Sequence, residues 1–147
     1  MIKIRINKIM PFNIEDIYKV LIDVEKYPSF LPFIDEVKIN QPEKNRFSAL
    51  MKFSYSIYKS EFTSRIIFNE NKKIQVESND GYIKSLSQIW ELKDETKTKD
   101  STLVEFSLDL ELNNWITEKI AGKIIKELSN IYISSFEKRI KSILMKN

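Results

Sequence analysis

The chain has 147 residues, of which 42% are hydrophobic and 31% charged, and its formal net charge is +3. This balance is that of an ordinary globular protein, and the length suits one domain, residues 1–147. Cysteine and histidine are both absent, which excludes disulfides, thiolate nucleophiles, imidazole bases and most zinc sites. Any catalysis would have to depend on carboxylates, lysine, tyrosine or serine.

Aliphatic residues alternate with charged or polar ones over Ile2–Asn7 (IKIRIN). This alternation predicts a half-buried first strand rather than a signal peptide. No segment approaches the roughly twenty apolar residues that are needed to span a bilayer. We therefore expect a cytoplasmic protein that is free in solution or attached peripherally to the inner face of a membrane.

Two short helices are predicted after the first strand. Asn13 can cap the first helix, and Pro28 ends it or starts a second short turn. The segment Tyr27–Phe33 (YPSFLPF) then holds two prolines and three aromatic residues. Such a segment is either a kinked corner whose aromatic rings fill the core, or the stiff apolar lip of a cavity.

Five or six strands follow in a long antiparallel meander, with turn signals at Asn69–Asn71 and Asn79–Gly81. Apolar side chains alternate with polar ones in Phe62–Phe68, Leu86–Leu92 and Val104–Leu112. One face of this sheet is therefore expected to be buried and the other to be wet.

The last third of the chain predicts one helix of about thirty residues, from about Trp115 to Leu144. Apolar residues recur there at every fourth position: Ile116, Ile120, Ile124, Leu128, Tyr132, Phe136, Ile140 and Leu144. Because the α-helical period is 3.6 residues, this stripe winds around the helix, and a strongly twisted sheet can follow it. The predicted class is α+β, with a strongly curved antiparallel sheet wrapped around a long C-terminal helix, which is the helix-grip fold.

Three segments resemble motifs of the coenzyme Q-binding, START-like family, which also includes the ribosome-association toxin RatA. Asp23–Pro32 (DVEKYPSFLP) resembles the family's D-V-E-x-Y-P-x-F-L-P, and Phe62–Ile66 (FTSRI) resembles Y-T-S-R-V. Asp80–Trp90 resembles D-G-P-F-K-x-L-x-x-x-W, with Tyr82 in place of the proline. The family usually has glycines in the hairpin where this chain has Ser54 and Ile57.

The resemblance implies a single START-like lipid-binding domain whose cavity lies under the long helix. The residues that would line this cavity, or that would simply fill the core, are Tyr27, Phe30, Leu31, Pro32, Phe33, Phe53, Phe62, Gln88, Trp90, Ile120 and Ile124. Gln88 is the polar member of its inward set, and it is either a donor to a ligand oxygen or a satisfied core amide. At the cavity mouth the resemblance implies Arg65, Asp80 and Lys84, although alternation places Arg65 on the wet face as a cross-strand ion-pair partner.

The function that the resemblance implies is non-enzymatic binding of a polyprenyl quinone, with ubiquinone as the ligand, by a carrier that supports respiration. The alternative is a RatA-like factor that binds the large ribosomal subunit and blocks subunit joining; a module for another lipid also remains open. We expect no catalytic residues, no required cofactor, no metal and no DNA partner. The basic end of the chain, with a Glu137–Lys141 pair, is either a solvated helix face or a weak attraction to anionic lipid at a membrane surface.

Overall fold

Seven strands form one antiparallel sheet in the computed structural model, which describes residues 1–95, 97 and 100–146. The strands are β1 (Ile2–Met10), β2 (Ile34–Asn40), β3 (Arg46–Tyr55), β4 (Tyr58–Asn69), β5 (Lys73–Ser78), β6 (Ile83–Asp94) and β7 (Thr102–Leu112). The helices are α1 (Ile14–Ile22), a short 3-10 helix (Val24–Ser29) and α2 (Trp115–Met145). The predicted first strand, the two short helices and the long closing helix are confirmed, and the meander predicted to have five or six strands has six, β2 to β7.

The strand order is β1-β7-β6-β5-β4-β3-β2, and every neighbouring pair is antiparallel. The chain therefore runs back and forth from β2 to β7 and closes with β1 at the far edge. The two edges, β1 and β2, are joined by the segment that contains α1 and the 3-10 helix, while α2 packs against α1, β1 and β7. Helices and sheet thus enclose the inner face, as the helix-grip prediction requires.

Local signals in the sequence fix the first helix and the hairpin turns. The Asp16 N–H donates to Asn13 Oδ1 at 3.0 Å, which is the predicted cap of α1. Asn71 and Gly81 take left-handed φ angles of 61° and 62° at the two predicted turns. Between β3 and β4, Ser56 takes φ 56° in a two-residue turn, so this hairpin forms without glycine.

The buried face of α2 differs from the predicted every-fourth stripe. Ile120 is 67% exposed and Leu144 is 38% exposed, whereas the side chain of Ile116 lies outside the described part of the chain. Among the side chains of α2 that the structure describes, those that are buried are Leu128, Ser129, Ile133, Phe136 and Ile140. The prediction was wrong at the ends because a straight helix repeats every 3.6 residues, so the stripe leaves the sheet in both directions from its centre. No helix in the described ranges has the combined length and apolarity that crossing a bilayer would take.

Candidate functional site

A cavity of about 280 Å³ lies between the inner face of the sheet, the 3-10 helix and the middle of α2. Its volume is close to the lower end of the range for small-molecule sites, about 300–1,000 Å³. The lining residues are Val24, Tyr27, Phe33, Ile34, Met51, Phe53, Ser60, Phe62, Ser64, Ile66, Ile74, Val76, Tyr82, Ile83, Leu86, Gln88, Trp90, Phe106, Leu108, Leu110, Leu112, Ile125, Leu128, Ser129 and Tyr132. None of these side chains carries a charge, so the cavity suits an uncharged and mostly apolar molecule.

A chain of hydrogen bonds runs along one wall of this cavity. The indole Nε1 of Trp90 donates to Gln88 Oε1 at 3.2 Å. The side chains of Gln88 and Tyr27 lie close enough to the Tyr132 hydroxyl to hydrogen-bond with it and to lower its pKa. The Tyr27 hydroxyl donates in turn to the carbonyl of Leu21. Since that bond uses the one proton of Tyr27, its oxygen can accept the proton of Tyr132, and the Tyr132 oxygen can accept an N–H of Gln88.

Within the described part of the chain, this arrangement leaves one N–H of the Gln88 amide for another partner. An amide group carries two N–H donors, and the chain of bonds uses one of them, toward Tyr132. The interpretation of Gln88 as a core amide holds for its oxygen, which accepts from Trp90. Its role as a donor to a ligand oxygen stays a prediction, to which the position of its side chain on the cavity wall is suited.

The two tyrosines in this chain stay neutral at physiological pH. Burial raises the pKa of Tyr132 above its ordinary value near 10, against the opposing effect of its hydrogen bonds with Tyr27 and Gln88. Burial also raises the pKa of Tyr27 well above that value, and the neighbouring Tyr132 adds to the rise. A phenolate base or nucleophile is thus strongly disfavoured here, and the hydroxyl groups can bind and orient a molecule instead.

The aromatic segment before β2 both fills the core and lines the cavity. Tyr27 and Phe33 are lining residues, and the ring of Tyr27 lies 5.1 Å from that of Phe136 in an edge-to-face contact. Phe30 instead packs against Phe136 at 5.2 Å, outside the cavity. Leu31 is buried in the core and does not line the cavity, and neighbouring Pro32 is exposed. The two interpretations of the segment therefore hold for different residues within it.

Some of the other residues that were predicted to line the cavity do so, and some do not. Phe53, Phe62 and Trp90 line the cavity. The prediction was wrong for Ile120, which faces solvent, and Ile124 does not line the cavity either. The residues that α2 contributes are Ile125, Leu128, Ser129 and Tyr132. A period of 3.6 residues applied outward from the centre of the helix would have selected these positions.

The three polar residues that the resemblance placed at the mouth all have partners on the sheet. Arg65 faces Glu77 across the β4–β5 pair with 3.9 Å between Nη2 and Oε2, which confirms the cross-strand interpretation. Lys84 pairs with Glu111 at 3.3 Å. Asp80 accepts the backbone N–H of Thr63 at 2.8 Å and so joins the β5–β6 turn to β4. None of the three lines the cavity.

Exposed apolar side chains gather at one end of the sheet. Because neighbouring strands are antiparallel, the β3–β4 turn, the β5–β6 turn and the start of α2 all lie at the end where β7 finishes. Ile57 is 87% exposed and Tyr82 is 82% exposed, and Ile120 lies on the second turn of α2. The Asn113 side chain donates to the Gly81 carbonyl at 3.0 Å, which ties the β5–β6 turn to the start of α2. Tyr82 also lines the cavity, whereas Ile57 and Ile120 do not, so the cavity reaches this end of the sheet, which we call its rim.

The solvent-facing side of α2 carries five exposed lysines and, among its described residues, one exposed acidic residue, Glu127, so it is basic. Its exposed lysines are Lys119, Lys123, Lys126, Lys138 and Lys141, and none of them forms an ion pair with a residue in the described ranges. The predicted Glu137–Lys141 pair is wrong, since Glu137 pairs with Lys8 of β1 at 2.5 Å. The lysines are spread along the sequence, but helical spacing places their positive charges on one face of α2.

The family whose description is polyketide cyclase / dehydrase and lipid transport matches residues 10–137. The chain belongs to this family. The matched range starts at the last residue of β1 and ends within α2, so it includes all the described residues that line the cavity.

Curated relatives in this family fall into two groups by name. The ribosome association toxin RatA of Escherichia coli K12 is 28% identical over 135 residues, which cover 92% of this chain and 84% of that protein. The persistence and stress-resistance toxin PasT of Escherichia coli O6:H1 is 29% identical with the same coverage. The mitochondrial coenzyme Q-binding protein COQ10 of Dictyostelium discoideum is 25% identical over 90% of this chain and 65% of that protein.

Solved structures confirm the START-like, helix-grip fold of this family member. A START superfamily protein from Mycobacterium smegmatis superposes with a TM-score of 0.84 at 17% identity, over 97% of this chain and 99% of that one. The Zhui aromatase/cyclase from a Streptomyces species also gives 0.84, at 12% identity, over 95% of this chain and 93% of that one. The fold thus accommodates both binding proteins and enzymes, and the side chains in the cavity decide between them.

Proposed function

We propose that this family member binds a polyprenyl quinone non-covalently, with the quinone ring inside the cavity and the tail leaving through the rim. The observation that carries the proposal is the combination of an uncharged apolar cavity with one wall of ordered polar groups. The spare N–H of Gln88 can donate to a quinone carbonyl, and Trp90 and Tyr132 offer flat ring surfaces beside it. COQ10, one of the relatives, is named as a coenzyme Q-binding protein.

The size of the cavity supports partial enclosure of such a ligand. A volume of about 280 Å³ is just below the range for sites that enclose a whole small molecule, about 300–1,000 Å³. That suits a substituted ring with the first part of its tail rather than a whole polyprenyl chain. Each isoprene unit that leaves water gains roughly 4 kcal/mol, at about 0.8 kcal/mol for each of five carbons, but a bilayer offers the same gain.

Because the tail is buried equally well in a bilayer, we favour a carrier that exchanges its ligand with a membrane over a protein that holds the ligand with high affinity. Since the tail gains little on moving from lipid to protein, selectivity must come from the ring and its hydrogen bonds. The exposed Ile57, Tyr82 and Ile120 at the rim can enter the interfacial layer of a bilayer while the tail passes between the two phases. The protein would act at the inner membrane face without spanning it.

We propose binding rather than catalysis as the role of the cavity. A cyclase needs groups that can move protons at neutral pH. The titratable groups among the described lining residues are tyrosines, and the two buried ones, Tyr27 and Tyr132, have pKa values raised above 10. Their hydroxyl groups are also occupied by each other, by Gln88 and by the carbonyl of Leu21.

Extraction of the purified protein with organic solvent, followed by mass spectrometry, tests this proposal. We expect a quinone at a substantial fraction of one equivalent from the wild type. The matched variant Val76→Phe, which adds a ring to the cavity, should lose it, whereas Ile131→Phe on the exposed side of α2 should keep it. An extract in which the quinone is absent, or is present equally in all three proteins, would contradict the proposal.

Ribosome association is the second candidate, and the basic face of α2 favours it. Five exposed lysines on one helical face form a surface that suits RNA phosphates. The RatA and PasT proteins of Escherichia coli, at 28% and 29% identity, are also more similar in sequence to this chain than COQ10 is at 25%. Co-sedimentation with large ribosomal subunits tests it. Replacing Lys119, Lys123 and Lys126 by glutamine should abolish co-sedimentation if this face binds rRNA, and salt should weaken binding steeply. Failure of the wild type to co-sediment at low salt would rule the candidate out.

A further inference from the structure

Ser64 carries a fully buried hydroxyl group without a hydrogen-bond partner among the described residues. It lies on the inner face of β4 between Phe62 and Ile66, it lines the cavity, and it is 0% exposed. Its Oγ has no hydrogen-bond partner among the described residues. By contrast, the Ser78 hydroxyl donates to the Thr63 carbonyl at 2.7 Å.

An unpaired buried hydroxyl is unusual because it forfeits the hydrogen bonds it made to water in the unfolded chain. Most buried polar side-chain atoms in folded proteins have a partner, and an exception calls for a reason. At position 64, alanine would fill nearly the same space without this penalty. The hydroxyl at this position therefore points to a partner that arrives with the ligand.

We infer that Ser64 is a second polar subsite of the cavity, whose hydroxyl donates to a carbonyl oxygen of an otherwise apolar ligand. This inference rests on the proposed function for the presence of a ligand in the cavity. It adds that the protein recognises a carbonyl oxygen of that ligand through Ser64. A rotation about χ1 is enough to turn the hydroxyl of a serine on a strand toward a new acceptor.

The position of Ser64 relative to Gln88 supports a ligand with oxygens on two sides. Ser64 lies on β4 and Gln88 on β6, with β5 between them. Gln88 pairs with Val76, and Val76 pairs with Ile66, so Ser64 is also offset by two residues along the strand. Two strand spacings of about 4.8 Å and this offset of about 7 Å place the two Cα atoms roughly 12 Å apart, and the side chains of both residues line the same cavity. Each offers a donor, so the pair selects acceptor oxygens at opposite sides of a small ring or at two points of a chain.

Probes that differ by one carbonyl oxygen test the role of Ser64. The affinities of 2-undecanone and undecane are measured by competition with 1-anilinonaphthalene-8-sulfonate for the wild type, Ser64→Ala and the control Ser78→Ala. We expect Ser64→Ala to bind 2-undecanone about tenfold more weakly than the wild type, the loss of one hydrogen bond, and to bind undecane equally. Ser64→Cys keeps the shape but has a weak donor, and it should weaken ketone binding as well.

The same series separates this inference from the proposed function. Unliganded Ser64→Ala should melt no lower than the wild type because it loses no hydrogen bond, whereas Ser78→Ala should melt lower. If decylubiquinone fails to bind the wild type while ketone binding still depends on Ser64, the quinone proposal fails and the inference stands. If the ketone and decylubiquinone bind Ser64→Ala as tightly as the wild type, or if no ketone binds, the inference is overturned.

Discussion

The substitution Tyr132→Phe isolates the hydroxyl at the centre of the hydrogen-bond chain. It keeps the ring contact with Phe136, whose centroid is 4.8 Å away, and removes only the oxygen that bonds with Tyr27 and Gln88. Both partners are left with one unsatisfied bond each in an apolar setting. Each keeps another partner, Tyr27 through the Leu21 carbonyl and Gln88 through Trp90, so we expect a total loss of about 1–3 kcal/mol in the free energy of unfolding.

The pH dependence of stability provides a second test of the Tyr132→Phe prediction. The pKa values of Tyr132 and Tyr27 are raised in the folded protein, so above pH 10 the unfolded chain releases protons that the folded state keeps. Stability is therefore unaffected by these groups below pH 10, and it falls above pH 10 by about 1.4 kcal/mol per pH unit for each tyrosine. Tyr132→Phe removes one of the two contributions and should make this alkaline fall shallower.

Urea unfolding followed by circular dichroism at pH 7, 10 and 11 measures both effects. Tyr82→Phe is the matched control, because that side chain is exposed and its replacement should change stability by less than about 0.5 kcal/mol. A Tyr132→Phe protein as stable as the wild type at pH 7, with an unchanged alkaline slope, would refute the hydrogen-bond chain.

Three further substitutions test the packing, the surface and the cavity in turn. Phe136→Ala empties a fully buried site and should cost about 3–5 kcal/mol in urea unfolding, while Ile131→Ala on the exposed side of α2 should cost under about 0.5 kcal/mol; equal losses would contradict the assigned helix face. Arg65→Ala breaks a solvent-exposed ion pair with Glu77 and should lower the free energy of unfolding by less than about 1 kcal/mol. It should leave the affinity for decylubiquinone unchanged, and a large drop in that affinity would show that Arg65 contributes to the binding site. Val76→Phe should keep the circular dichroism spectrum of the wild type yet lose decylubiquinone binding, and retained binding would show that the ligand lies elsewhere.

Most of the fold could be predicted because its signals are local. Alternation in β7 places Val104 and Phe106 inward and Glu105 outward whatever the rest of the chain does. The caps and turns are equally local, as Asn13 and Gly81 show. These signals need only residues that are close in sequence, and they all agree with one architecture.

The site was harder to predict because its members meet only through the tertiary structure. Tyr132 counted as one apolar residue in a helical stripe, and nothing near it in sequence shows that its hydroxyl reaches Tyr27 and Gln88. The Ser64 hydroxyl likewise lacks a partner because the neighbouring strands β3 and β5 provide no hydrogen-bonding group for it among the described residues. Ile120 was placed in the cavity for a different reason, because it belongs to the stripe of apolar residues at every fourth position. An α-helix repeats every 3.6 residues, so this stripe does not stay on one face of the helix.

The fluorescence of Trp90 reports directly on whether a quinone enters the cavity. The sequence has two tryptophans, so Trp115→Phe leaves Trp90, a buried lining residue, as the single indole. Titration of this variant with decylubiquinone should quench the emission to a saturating level near one equivalent, and the additional substitution Val76→Phe should abolish that saturable quenching. Quenching that rises without saturation and is the same in both proteins would contradict a quinone site beneath α2.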